Sequence, residues 1–106
     1  MENCINLYND STWQDASGYP SGTGKKVLYD EKGVKTVLLK LPEGFYMEAH
    51  SHIYAEQHII LKGEYISEGK IYKEGTYRRL NAHENHGPFE SKKGALILVI
   101  WVPFHN

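Results

Sequence analysis

The chain reads as an all-β domain, a sandwich or small barrel of about eight or more short strands. Two observations predict this. From Lys25 onward, short apolar runs alternate with clusters of Gly, Asn, Asp, Glu, Ser and Lys that favour turns. No segment carries an apolar stripe at helical spacing over three turns.

In chain order, residues 1–24 are polar and rich in Gly, Ser and Asn, with S-G-Y-P-S-G-T-G at 17–24. They read as an irregular segment with a short strand near Trp13 that caps a sheet edge, ahead of a barrel over 25–106. The expected strands are Lys26–Tyr29, Val34–Leu41, Phe45–His52, Glu56–Lys62, a short one at Ile71–Tyr72, Thr76–Leu80, His86–Glu90 and Ala95–Val102. Between them lie Asp30–Gly33, Leu41–Gly44, Gly63, Ser67–Gly69, Glu74–Gly75, Asn81–Glu84 and Lys92–Gly94.

At 106 residues the chain is one domain with a real core. Twelve Lys and Arg against thirteen Asp and Glu give a net charge of -1, so neither nucleic acid nor an anionic membrane is an expected partner. Cys4 is the single cysteine, which excludes a disulfide within the chain. MENCINLYND has no basic flank and no apolar centre, so no signal peptide is read and a cytoplasmic location is expected. The longest apolar run, Ala95–Val102, is too short to span a bilayer as a helix.

The chemistry concentrates in Gly44–Gly63, GFYMEAHSHIYAEQHIILKG. His50, His52 and Glu56 recur there at even spacing, which on a strand puts side chains on one face. Two imidazoles and a carboxylate suit a borderline-to-hard divalent metal. His86, in NAHENHGPFE, offers a third imidazole. By parity, an inward His50 carries Tyr46 and Glu48 inward, and an inward Glu56 carries His58 and Ile60. Gln57, Ile59 and Leu61 then face outward.

These residues resemble the cupin superfamily. Its first motif, G-x5-H-x-H-x3-E-x6-G, is matched at every fixed position by Gly44, His50, His52, Glu56 and Gly63. Its second, G-x5-P-x-G-x2-H-x3-N, is matched by Gly75 and His86, while Asn81, His83 and Glu90 replace the proline, glycine and asparagine. The resemblance implies a jelly-roll barrel, the double-stranded β-helix. It implies one divalent transition metal (Fe, Mn, Ni or Zn) held by His50, His52, Glu56 and His86. The short separation of Gly63 from Gly75 resembles minimal single-domain bacterial types. The HGPFESKKG stretch is similar to small cupins related to acetylacetone-cleaving dioxygenases and to the cupin part of zinc-binding anti-sigma factors.

Roles follow as expectations. Glu56 is either a fourth ligand or a base beside the metal. His58 is either a core histidine satisfied by a hydrogen bond, or a group that supports the metal ligands from behind, or a proton shuttle. Glu48 is either a general base or a solvated rim carboxylate. Met47 stands where oxalate-degrading cupins carry a catalytic arginine, which argues against oxalate chemistry. Arg78 and Arg79 have opposite parity, so at most one looks inward, and surface pairing is their expected role. Tyr46, Tyr54, Tyr65, Tyr72 and Tyr77 read mostly as ordinary strand aromatics, and His83, His105 and Cys4 as having no part in the site.

The expected function is a mononuclear non-haem metal-dependent dioxygenase, an oxidoreductase acting on a small enolisable substrate. The alternatives on the same fold are a non-catalytic metal or small-ligand sensor and a metal-assisted sugar isomerase. The expected partners are a small-molecule ligand or substrate and a second copy of the chain. Leu96–Trp101 is apolar on both faces, one row filling the barrel and the other wanting cover from a homodimer or from the Trp13 segment.

Overall fold

The computed structural model describes residues 4–51 and 54–102. It is all-β, with β1 (Gln14–Asp15), β2 (Gly24–Glu31), β3 (Val34–Leu41), β4 (Phe45–Met47), β5 (Ala55–Ser67), β6 (Lys70–Lys73), β7 (Tyr77–Leu80), β8 (Phe89–Ser91) and β9 (Ala95–Val102). The strands form one curled antiparallel sheet in the order β1-β2-β3-β9-β5-β8-β4, with β6 and β7 also pairing β5. This is the expected jelly-roll barrel. No helix among the described residues is long and apolar enough to cross a membrane.

Strand β5 organises the molecule. Its first half lies between β9 and β7, and its second half pairs β6 and β8. Gly63, expected to separate two strands, instead sits inside β5 with φ 76°. A Cβ there would lie 2.5 Å from the Gly94 carbonyl oxygen, so only glycine fits where β5 passes the start of β9. The pairing with β9 slips between Ile60 and Lys62. That irregularity switches which residues point inward: Glu56, His58 and Ile60 are buried before it, Tyr65 and Ser67 after it.

The core lies between the two halves of the curled sheet. Val37, Leu39 and Leu41 from β3 meet Ile97 and Val99 from β9, Ile60 and Tyr65 from β5, Phe45 from β4 and Phe89 from β8. Alternation along β3 and β9 produces this face directly. On the opposite face Leu38 is fully buried against a β9 row in which Leu96 is buried and Leu98 and Ile100 are half-buried.

Part of the cover comes from the N-terminal segment. The Tyr8 hydroxyl donates to the Leu61 carbonyl at 3.3 Å, and Lys26 Nζ donates to the Asn9 carbonyl at 2.6 Å. Asp10 accepts from Lys40 Nζ at 2.6 Å and from Trp13 Nε1 at 2.8 Å. The Lys26 ammonium stands 4.5 Å from the centre of the Trp13 ring. The edge strand expected near Trp13 is β1, paired to β2.

Three expected strands start later or end sooner than read from the sequence, Thr76–Leu80 by one residue and two others by more. The expected strand Phe45–His52 ends at Met47, and that expected over His86–Glu90 begins at Phe89. His50 and His86 instead form an isolated antiparallel bridge.

Candidate metal centre

The bridge joins the two motifs. His50 N–H donates to the His86 carbonyl at 2.9 Å, and His86 N–H donates to the His50 carbonyl at 2.7 Å. The chain between β4 and this bridge is irregular, and it resets the parity. Phe45 is buried and Met47 lines the barrel cavity, yet so does His50. The expectation that Tyr46 and Glu48 turn inward with His50 is therefore corrected. Tyr46 is 48% exposed, and Glu48 is exposed and lends only its backbone carbonyl, which accepts from His50 Nδ1–H at 3.0 Å. A carbonyl can only accept, so Nδ1 carries a proton, and in the neutral tautomer the metal-binding lone pair belongs to Nε2.

Glu56 and His58 project from β5 into the same cavity, and both are 6% exposed. His58 Nε2 lies 3.2 Å from Glu56 Oε1, and His58 Nδ1 lies 2.7 Å from the Tyr65 hydroxyl. The cavity volume is about 30 Å³, room for roughly two waters. Apart from these polar groups its wall is largely apolar, including Leu39, Phe89, Ile97 and Val99. Tyr19 also lines it, and burial, then the Glu56 charge, pushes its hydroxyl pKa up to about 12. Tyr19 is therefore a neutral phenol at physiological pH.

His86 is buried, but its Nε2 is engaged, donating to the Asn81 carbonyl at 2.8 Å. In that arrangement Nδ1 holds the lone pair. His86 adjoins His50 through the backbone and does not line the cavity. His52 lies outside the described residues, as does His105. Among the described residues, no three His, Cys, Asp or Glu side chains gather closely enough to hold a metal. What the structure does assemble is half of the expected set, His50 and Glu56, on one cavity, with His58 beside them. These donors fit a divalent ion: an imidazole with Nε2 as acceptor and a buried carboxylate oxygen that accepts a hydrogen bond. His83 is exposed in a turn, as expected, and Cys4 is an exposed free thiol.

Three participants escaped sequence reasoning. Tyr65 was assigned with the strand aromatics, yet it is 1% exposed and bonded to His58. Arg78, read as a surface residue, is half-buried and donates Nη1–H to the Tyr65 hydroxyl at 3.3 Å. Tyr19 lies in the segment read as irregular. For Arg78 the cause is register, since β5 and β7 pair with His58 opposite Arg78.

A family model described as the ChrR cupin-like domain matches residues 2–105. The chain belongs to this cupin family. Among curated proteins, none matches it in sequence. Solved structures share the family's fold at low identity. The anti-sigma ChrR of Rhodobacter sphaeroides, in complex with SigE, is 20% identical with a TM-score of 0.73 over 89% of this chain and 51% of that one. The chain thus spans about half the length of that protein. KdgF from Halomonas sp. is 17% identical with a TM-score of 0.76, over 99% and 97% of the two chains. A candidate acetylacetone dioxygenase from Methylibium petroleiphilum PM1 is 17% identical with a TM-score of 0.78, over 96% and 78%.

Proposed function

We propose that this cupin holds one divalent transition metal through His50, His52, Glu56 and His86, and that the loaded site cleaves a small enolisable substrate with O2. The observation that supports this reading is the convergence of His50 and Glu56 on one small cavity with a largely apolar wall. For His86 to join with Nε2, its bond to Asn81 must be exchanged; with Nδ1, the bond can stay. A bound divalent ion would supply Lewis-acid polarisation of a substrate oxygen and, as iron, redox access to O2. The chain's own residues would do the rest. The apolar wall would exclude water, and Tyr19 would present a neutral phenol as a donor to a substrate oxygen. Glu56 would act as ligand or as base toward the substrate's acidic C–H.

A second reading is favoured by the match to the ChrR family model and by the small cavity: a metal-binding regulatory module without turnover. Oxygen uptake separates the two. Protein reconstituted with Fe(II) and given pentane-2,4-dione should consume O2 in proportion to substrate lost. Bound iron with no uptake above free Fe(II), over a panel of β-dicarbonyls, would favour the regulatory module.

A second copy of the chain is the partner proposed for the outer row of Ile59, Leu98 and Ile100, which the N-terminal segment leaves half-buried. Light scattering after size exclusion should return twice the chain mass at micromolar concentration. A single-chain mass would leave the N-terminal segment as that face's cover.

A further inference from the structure

We propose that Tyr65 and Arg78 are positioning residues for Glu56, acting through His58. The inference rests on the metal reading above, because its consequence is the orientation of a metal-site carboxylate.

The four groups form one hydrogen-bonded chain whose polarity is fixed at both ends. A guanidinium can only donate, so the Tyr65 oxygen accepts from Arg78 Nη1 at 3.3 Å. The Tyr65 hydroxyl hydrogen is then directed to His58 Nδ1, at 2.7 Å. With Nδ1 accepting, the ring proton of neutral His58 belongs on Nε2, and it donates to Glu56 Oε1 at 3.2 Å. The reverse polarity would point an Nε2 lone pair at a carboxylate oxygen. Burial is the main cause that raises the Tyr65 pKa, so this hydroxyl keeps its proton.

Packing holds each link. His58 and Arg78 are register partners on β5 and β7. The switch of facing near Gly63 brings Tyr65 back under His58, with the rings meeting edge to face at 5.8 Å. The Arg78 guanidinium lies 4.3 Å from the Tyr72 ring centre and 5.8 Å from that of Phe89. One carboxylate oxygen of Glu56 is thereby tied to His58, which limits how the group can turn toward an ion. Partners of this kind typically change metal affinity by about 10–100-fold.

Cobalt(II) titration, followed by its visible absorption, tests this on the whole chain. The wild type should bind with a defined set of d–d bands. Tyr65→Phe, which keeps the ring, should weaken cobalt binding by about 10–100-fold and move the bands. Arg78→Met should do the same, and Arg78→Lys should recover part of the loss. In a Glu56→Gln background, Tyr65→Phe should add no further loss, because the residue it positions is altered. Wild-type affinity and bands in Tyr65→Phe and Arg78→Met, with wild-type cobalt binding intact, would overturn the positioning role and leave the metal reading standing. A wild type that binds no cobalt, zinc or iron would overturn the metal reading, and this inference with it.

Discussion

Phe89→Ala is expected to destabilise the metal-free protein by about 3–5 kcal/mol. Phe89 is 6% exposed and belongs to the core cluster. Its ring meets Tyr65 edge to face at 5.6 Å, and it also abuts His50 at 5.7 Å and His58 at 6.3 Å. Truncation removes apolar burial and leaves a void beside three polar rings, those of Tyr65, His50 and His58. Urea unfolding would show the loss as a lower midpoint at unchanged slope. A change below about 1 kcal/mol would mean that the barrel repacks freely around this position.

His50→Ala is expected to reduce metal affinity by more than about 100-fold, beyond the range of changes outside the ligand set. The ring is half-buried at the cavity and presents Nε2 as an acceptor. His52→Ala and His86→Ala should lose retention alike, while Glu56→Ala should lose less, since imidazoles dominate the proposed set. Competition against a coloured chelator reads all four. Wild-type affinity in His50→Ala would move the site away from the cavity.

Much of the fold was legible from local rules. Strands β3 and β9 have the bounds read from alternation and turn residues, and the inward row Ile97–Val99–Trp101 is one of the two rows parity defined. Parity failed where the backbone is irregular. Between Met47 and His50 the strand stops, so Glu48 falls on the solvent side while His50 still reaches the cavity. Near Gly63 the β5–β9 register slips, so Tyr65 turns inward although its number is odd and those of Glu56 and His58 are even. A pattern of period two cannot see an inserted residue.

The candidate site divides the same way. Motif spacing pointed to His50 and Glu56 together, although they stand on separate elements, the His50–His86 bridge and β5. Arg78 and Tyr65 reach the cavity region only through strand pairing and a bulge, which are tertiary events. Tyr19 arrives from a segment that has no periodicity to read. The chain's own chemistry is thus a short motif plus partners recruited by the fold.

The central claim, one divalent metal per chain in the barrel, is tested most directly by metal analysis. Untagged protein would be stripped with chelator, incubated in turn with Fe(II), Mn(II), Ni(II) and Zn(II), desalted and measured by mass spectrometry. The account predicts close to one ion per chain for at least one of these metals, lost in His50→Ala. Retention of none of them, or retention equal in wild type and His50→Ala, would contradict it.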